Sequence, residues 1–188
     1  MLLSAVAAGC LALLGCSKQE SASAPDSPKR APSVEIVAAE ARGFTVGAMM
    51  STNAVYVFFD PQCPHCAHLW QASAALQKKV KFIWIPVGII NASSTSQGAA
   101  LLASADPARS MDAHESSLLA GTGGISASAS PAPEMEQAIK ANTRLFNNLG
   151  AESVPFIVAR NVRTGQTVTR SGSMQSAALA ELLGLELP

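Results

Sequence analysis

A short apolar run followed at once by two closely spaced cysteines is the feature that most constrains this chain. Residues 55–59 read VYVFF, residues 60–62 (DPQ) break the run, and residues 63–66 read CPHC. A continuous run of β-branched and aromatic residues is typical of a strand buried on both faces, as in parallel sheets. Proline suits the first turn of a helix, where its missing N–H leaves no bond unmade. The pattern therefore predicts a buried strand that leads into a helix, with Cys63 at the start of that helix.

The elements around this junction alternate in a way that indicates an α/β fold. A strand, a helix and a second strand within a short span predict a right-handed βαβ unit. A mostly helical stretch, a hairpin and a closing helix follow. This order predicts a thioredoxin-like fold with a helical insertion between the βαβ unit and the ββα unit. The predicted strands are 55–59, 80–87, 156–160 and 166–170, and the predicted helices begin near Pro64 and span 99–104, 108–120, 134–149 and 174–183.

The Cys63–Cys66 pair has the properties that disulfide exchange requires. Exchange needs a thiolate that attacks and a second thiol within reach. At the start of a helix, unsatisfied N–H groups and the helix dipole favour an anion, so we expect a lowered pKa for Cys63. Cys66, one turn further on, can resolve a mixed disulfide formed at Cys63. Pro64 and His65 complete the predicted catalytic set, with the His65 ring tuning the thiolate, and no cofactor is expected beyond the redox-active cysteine pair.

Three other uses of the same cysteines are weaker. A structural zinc site needs four ligands, and only His65 and His68 lie near the pair, so no metal is expected. Covalent haem attachment requires C-x-x-C-H, whereas position 67 is alanine. An inert structural disulfide is a further alternative, although it would close almost no loop. His68 and His114 are interpreted as ordinary surface or partly packed residues.

A proline just before the predicted hairpin is the second element of the predicted site. Val154-Pro155 lies between the helix at 134–149 and the strand at 156–160. An X-Pro bond adopts the cis form at modest cost, and in thioredoxin-like folds a cis-proline at this junction lies against the dithiol. Backbone groups there can pair with an extended substrate. We therefore expect Val154 and Pro155 to bind substrate, the alternative being that Pro155 only begins a strand.

The amino-terminal stretch predicts export and a lipid anchor. MLLSAVAAGCLALLG is uncharged and too short for a membrane-spanning helix, and it fits the apolar part of a signal peptide better than a buried helix. Cys16, which follows LLG, resembles a lipobox cysteine that becomes lipidated, and Cys10 is a weaker candidate. We expect a signal peptide at 1–15, a flexible tether at 16–33 and a folded domain at 34–188. The serine after Cys16 favours the outer membrane.

Composition and charge exclude some functions. The chain has 188 residues, of which 48% are hydrophobic, which is enough for one domain with a buried core. Its 13 basic residues balance 13 acidic ones. Nucleic-acid binding normally requires a basic surface, so no nucleic-acid partner is expected.

Several stretches beyond the dithiol resemble the catalytic domain of DsbG, with DsbC as a more distant relative. They are FFDPQCPHC at 58–66, VGII at 87–90, ALLASADPAR at 100–109 and NTRLFNNLGAESVPF at 142–156. The later stretches lie in the predicted helical insertion and point to this family in particular. The resemblance implies a periplasmic protein that reduces or isomerises disulfides, or rescues oxidised cysteines, in exported client proteins. It also implies a membrane redox partner.

Two differences from that family shape our expectations. The family carries an amino-terminal dimerisation domain, whereas only about twenty residues separate the tether from the first strong strand here, so we expect a monomer without that domain. The family has Thr before the cis-proline, and the combination of Val154 with His65 instead resembles DsbA, an oxidising relative.

The function predicted from the sequence is thus that of a lipid-anchored periplasmic thiol:disulfide oxidoreductase of the DsbG type. The alternatives are a DsbA-like monomeric thiol oxidase, a reductant dedicated to one client such as apocytochrome c, and a tethered binding module without catalysis. The direction of electron flow is left open at this point.

Overall fold

A five-stranded mixed sheet organises the part of the chain that the computed structural model describes, residues 29–187. The strands are β1 Phe44–Gly47, β2 Ala54–Phe59, β3 Lys81–Pro86, β4 Phe156–Arg160 and β5 Thr167–Ser171. They lie side by side in the order β1-β3-β2-β4-β5. β2 and β3 run parallel, whereas the remaining neighbours pair antiparallel. The parallel pair at the centre is the βαβ unit expected from the sequence.

The described residues also form six α-helices, which lie on both faces of the sheet. They are α1 Val34–Glu40, α2 Pro64–Ser73, α3 Ala92–Ala103, α4 Pro107–Leu119, α5 Pro133–Asn148 and α6 Ser176–Leu183. A single 3₁₀ turn extends α2. Because α3, α4 and α5 fall between β3 and β4 in the chain, the predicted helical insertion is confirmed.

The central strand β2 is buried on both faces, as its continuous apolar sequence predicted. Side chains alternate along a strand, so Phe59 and Phe58 face opposite ways. Phe59 packs edge-on against Trp84, with ring centroids 5.6 Å apart, in the core shared with α2 and α6. Phe58 contacts Phe146 at 6.0 Å in the second core, shared with α1 and α5. The strand that leads to the cysteines is therefore held rigidly from both sides.

Two elements were absent from the sequence prediction, and a third begins earlier than predicted. α1 and β1 are only seven and four residues long, too short for a periodic pattern to stand out. α3 begins at Ala92, well before the predicted 99, because its first two turns are small and polar. Its start is set instead by Asn91 and Ser94, whose side chains and backbone N–H groups form a reciprocal capping box.

The predicted signal peptide at 1–15, Cys10 and the predicted lipidation site Cys16 lie outside the described residues. The last residues of the predicted tether are described and contact the domain, since the Arg30 N–H donates to the Asn148 carbonyl at 2.6 Å. α1 then begins at Val34, capped by the Ser33 side chain. Within residues 29–187, none of the helices has both the length and the apolar character that crossing a bilayer requires.

A buried amide on α5 fastens the insertion to the sheet. The Asn142 side chain is fully buried. Its Oδ1 accepts from the Arg42 N–H at 2.9 Å, and its Nδ2 donates to the carbonyls of Arg42 and Pro86 at 2.7 and 3.0 Å. All of its polar atoms are thus used to join α5 to β3 and to the segment before β1.

Replacing Asn142 by Ala should lower the free energy of unfolding by about 2–4 kcal/mol, because three hydrogen bonds disappear and their backbone partners stay buried. Urea unfolding followed by circular dichroism measures the loss. Asn147, exposed on the same helix, is the matched control, and Asn147→Ala should change the unfolding free energy by less than about 0.5 kcal/mol. Equal effects of the two changes would contradict the role assigned to Asn142.

Candidate active site

The two cysteines occupy the first turn of α2, where the chain leaves the central strand. Cys63 is the N-cap residue, with φ −100° and ψ 108°, and Pro64 follows inside the helix. The Cys63 N–H donates to the Asp60 carbonyl at 3.0 Å, which closes the turn after β2. Cys63 retains 4% of its surface exposed and Cys66 none. Only Cys63 is therefore placed to meet a second molecule.

The surroundings separate the two thiols in acidity. The pKa of Cys63 is lowered to about 7, chiefly by the hydrogen bond that the Cys66 thiol donates to it, with help from the backbone N–H groups of Cys66 and His65. Burial and the negative charge of Asp60 oppose this lowering. Burial also raises the pKa of Cys66 well above its ordinary value, and the charge of Cys63 adds to the effect. One cysteine is a thiolate near neutral pH, and its partner is a thiol.

The carbonyl of Val154 lies against the attacking sulfur. Cys63 Sγ is 3.6 Å from this oxygen, and the Val154–Pro155 peptide bond is cis, as the sequence predicted. Val154 is half-buried and Pro155 is buried. The fold thus brings together Cys63, Cys66 and the Val154–Pro155 segment, although 91 residues separate Cys63 from Val154.

His65 and His68 lie on the exposed side of α2. Their rings are neighbours, with centroids 6.3 Å apart. The contribution of His65 to the lowered pKa of Cys63 comes from its backbone N–H. The exposed position of His68 agrees with its interpretation as a surface residue.

The buried carboxylate of Asp60 is a part of the site that the sequence analysis missed. It is fully buried and accepts four hydrogen bonds, from the N–H groups of Gln62, Ile89 and Ile90 and from the Ser94 hydroxyl, at 2.7–3.0 Å. It therefore ties the turn before Cys63 to the loop after β3 and to α3. An aspartate in a turn after a strand gives no local sign of such long-range bonds.

His114 is fully buried, so its interpretation as a surface or partly packed residue is wrong. Its Nε2 donates to the Pro61 carbonyl at 2.6 Å, because its Nδ1 accepts from the Ile125 N–H at 3.1 Å. Burial lowers the pKa of His114, which favours this neutral form. Gly124 packs directly on the ring, with φ +88°, where a side chain would collide. His114 thus joins the turn before the cysteines to the loop after α4.

Three side-chain amides reinforce that connection. Gln62 Nε2 donates to Gln97 Oε1 at 2.5 Å and to the Gly123 carbonyl at 3.0 Å. Gln97 in turn donates to the carbonyls of Gly123 and Ile125. Asn91 Nδ2 donates to Gln62 Oε1 at 3.1 Å. The small-residue loop after α4 is thereby held beside the dithiol.

Glu115 on α4 is the second acidic residue that the sequence analysis missed. It is 2% exposed, and neither carboxyl oxygen has a hydrogen-bond partner. Burial, with a further contribution from the charge of Cys63, raises its pKa to about 9. Within residues 29–187, no three His, Cys, Asp or Glu side chains are grouped as metal ligands would be.

The chain is similar to DsbG proteins over most of its length. It is 33% identical over 140 residues to the thiol:disulfide interchange protein DsbG of Pseudomonas aeruginosa, which covers 73% of this chain and 54% of the relative. The Escherichia coli K12 protein of the same name is 35% identical over 105 residues, 55% of this chain and 42% of the relative. The chain thus spans about half the length of the curated relatives it matches. No protein-family model matches the chain.

Solved structures of bacterial proteins share the fold. A periplasmic thioredoxin-like protein from Salmonella enterica serovar Typhimurium superposes with a TM-score of 0.65 at 15% identity, covering 82% of this chain and 97% of that one. The catalytic domain of Proteus mirabilis ScsC has a TM-score of 0.59 at 16% identity, covering 80% and 96%. These likenesses confirm the predicted thioredoxin-like fold, and the sequence matches confirm the predicted resemblance to DsbG.

Alkylation of the reduced protein should distinguish the two thiols. The rate of iodoacetamide reaction at Cys63 should follow its thiolate and reach half its maximum near pH 7, since that is where its pKa lies. Below this midpoint the rate should fall about tenfold per pH unit. Cys66 should stay unmodified in the folded protein, as mass spectrometry of the peptides would report. The urea-unfolded protein is the control, in which both cysteines should react with a midpoint of about pH 8.5.

Proposed function

We propose that this DsbG-like chain is a thiol:disulfide oxidoreductase in which Cys63 attacks a client disulfide and Cys66 resolves the product. The observation that carries the proposal is the separation of the two thiols. Cys63 has a pKa of about 7 and is the more exposed of the two, whereas Cys66 is fully buried with a raised pKa. Thiolates are the nucleophiles in exchange, so the two residues have different roles.

The proposed reaction proceeds in two displacements. The Cys63 thiolate attacks one sulfur of the client disulfide, forms a mixed disulfide and releases the other client sulfur as a thiolate. Cys66 then attacks Cys63 Sγ, which releases the client's remaining sulfur and forms the Cys63–Cys66 disulfide. The client has gained two electrons and the pair has lost them. If the client's own free thiolate attacks the mixed disulfide instead, Cys63 is regenerated and the client disulfide is isomerised without net electron transfer.

The surface around Cys63 suits an extended polypeptide client. The Val154 carbonyl lies beside the attacking sulfur, where strand-like pairing with a client backbone would align a client disulfide. Ile89 and Ile90, whose N–H groups Asp60 binds, have side chains that are 42% and 48% exposed. They provide apolar contact next to the dithiol junction. The proposed roles of Val154 and Pro155 are thus to position the client rather than to react with it.

The proposed location is the periplasm, with exported proteins as clients. The names of the relatives support it, since DsbG is a thiol:disulfide interchange protein and the Salmonella neighbour is called periplasmic. We further propose lipidation at Cys16 with an outer-membrane anchor, on the lipobox-like LLGC sequence. A membrane redox partner would return the Cys63–Cys66 pair to its working state, and the protein would act as a monomer. The His65 ring is proposed to modulate the thiolate from the exposed side.

The pKa of Cys63 favours interchange or reduction over oxidation. A strongly oxidising pair holds its thiolate far below neutral, with a pKa of about 3.5 in DsbA, whereas thioredoxin's is about 7. A lower thiolate pKa stabilises the reduced form and makes the disulfide more oxidising. Since the pKa of Cys63 is about 7, the pair resembles thioredoxin in this respect. The DsbA-like oxidase is retained as the second candidate because Val154 and His65 match that relative.

Equilibration of the protein against glutathione buffers should give a reduction potential nearer to about −270 mV, the thioredoxin value, than to about −120 mV, the DsbA value. The reduced fraction is read by alkylation and mass spectrometry after acid quenching. A value at the DsbA end would overturn the reductase direction and support a thiol oxidase or a strongly oxidising interchange protein. A pair that does not cycle reversibly would support the binding module instead.

Cys63→Ser should abolish reduction of a disulfide-linked fluorescent peptide, because no other described thiol can start the exchange. Cys66→Ser should instead accumulate a mixed disulfide between Cys63 and the client, visible on non-reducing gels. Thr167→Ala, exposed at the end of β5 that pairs with Arg160 and far along the strand from the Val154–Pro155 segment, is the control and should keep wild-type turnover. Undiminished turnover by the Cys63→Ser variant would show that the assigned nucleophile is wrong.

A further inference from the structure

A buried carboxyl group with no partner is the feature of this fold that the dithiol mechanism leaves unexplained. Glu115 is 2% exposed and both of its oxygens lack hydrogen bonds. A buried polar group without a partner destabilises a protein, because it has lost its hydrogen bonds to water. A leucine of similar size would avoid that cost. A carboxyl group at this position therefore indicates a function that an apolar side chain cannot perform.

The position of Glu115 on α4 places it opposite the inner face of α2. Met111, one turn earlier on the same face of α4, belongs to the core cluster that contains Cys63 and Cys66. Trp70, one turn after Cys66 on α2, lines the same cleft as Glu115. Helix residues four apart share a face. The face of α4 that carries Glu115 is therefore packed against the face of α2 that carries Cys66.

A cleft connects this buried carboxyl group with solvent. Its volume is about 400 Å³, and its lining includes Trp70, Asp112, Glu115 and Ser116. Trp70 Nε1 donates to Asp112 Oδ1 at 2.7 Å, which holds the indole at the side of the cleft. Asp112 and Ser116 are exposed. Protons can thus reach Glu115 from the side of the molecule, without passing the client-facing surface at Cys63.

Few charges lie near Glu115 apart from the dithiol. The elements packed against α4, namely α2, α3 and β1, contain no Asp, Glu, Lys or Arg. Their titratable groups are Cys63, Cys66 and the exposed His65 and His68. On α4 itself the neighbours are Asp112 and the neutral, hydrogen-bonded His114. Asp60 acts on Cys63 and His114 from the turn after β2.

The charge of Cys63 acts on both buried groups. It raises the pKa of Glu115 and that of Cys66, and the charge of Glu115 raises the pKa of Cys66 in turn. When Cys63 enters a mixed disulfide, its negative charge is gone. Glu115 then releases its own proton to solvent more readily than it does in the reduced protein, and the carboxylate that this leaves can accept the proton that Cys66 has to lose.

We propose that Glu115 is the proton-exchange residue of this dithiol, which takes up the Cys66 proton during resolution and passes it to solvent through the cleft. This inference rests on the proposed function. Cys66 Sγ attacks Cys63 Sγ, the bond from Cys63 to the client sulfur breaks, and the client leaves as a thiolate. The Cys66 proton moves to the Glu115 carboxylate, so that charge and electrons balance. Reduction of the pair reverses the transfer.

Ellman's reagent separates the two steps in a stopped-flow experiment. Attack by Cys63 releases a first thionitrobenzoate and leaves a second one attached, which Cys66 releases as it closes the disulfide. In Glu115→Gln the first phase should stay within twofold of wild type. The second phase should slow by about tenfold or more, the usual scale of proton-transfer assistance. Its pH profile should also move to higher pH, because Cys66 then loses its proton without help.

Two further variants keep the test independent of folding. Glu115→Leu removes the unpaired polar group and should melt at the wild-type temperature or above, yet show the same slow second phase. Glu134→Gln, an exposed glutamate on α5, is the matched control and should leave both phases unchanged. A shift of the pH profile is not expected from a purely structural role, which would alter melting and both phases together.

The outcomes distinguish this inference from the proposed function. An unchanged second phase with an unchanged pH profile in both Glu115 variants would overturn the role of Glu115 and leave the dithiol mechanism intact. A wild-type protein that shows neither phase would overturn the proposed function itself. Loss of a protonated-carboxyl band from the reduced-minus-oxidised infrared difference spectrum in Glu115→Gln would give independent support, and its persistence would count against the proposal.

Discussion

The four hydrogen bonds accepted by the buried Asp60 carboxylate hold the site together. They join the turn that precedes Cys63, the loop after β3 and the first turn of α3. These three segments meet at one edge of the sheet. Burying a carboxylate is tolerable only when hydrogen bonds replace its water, and the donors here come from all three segments. The same charge opposes ionisation of Cys63. The constraint that builds the site thus also limits how acidic its nucleophile becomes.

The acidity of the dithiol follows from a small set of opposing contributions rather than from a cationic neighbour. The Cys66 thiol and two backbone N–H groups favour the Cys63 thiolate, and burial together with Asp60 disfavours it. The helix α2, which carries the dithiol, contains no arginine or lysine. Net stabilisation of the Cys63 thiolate is therefore modest. This is consistent with a cysteine pair that exchanges electrons in both directions.

Features encoded by adjacent residues could be predicted from the sequence, and features created by distant contacts could not. The β2 strand, the helix start at Pro64 and the Cys63–Cys66 pair are all contiguous. The position of Val154–Pro155 beside the dithiol came from resemblance to known proteins, not from local pattern. Asp60, His114 and Glu115 lie in segments that read as a turn and a polar helix, and their burial arises from how α3 and α4 pack on α2 and on the active-site turn.

The 91-residue separation between Cys63 and Val154 has a consequence for the newly made chain. The contact between Cys63 and the Val154 carbonyl exists only once the segment before β4 has reached the dithiol. Before that, no backbone carbonyl lies beside the nucleophile to align a client strand. The nucleophile and the backbone that aligns its client thus come from opposite ends of the domain, so client alignment is among the last properties that the growing chain acquires.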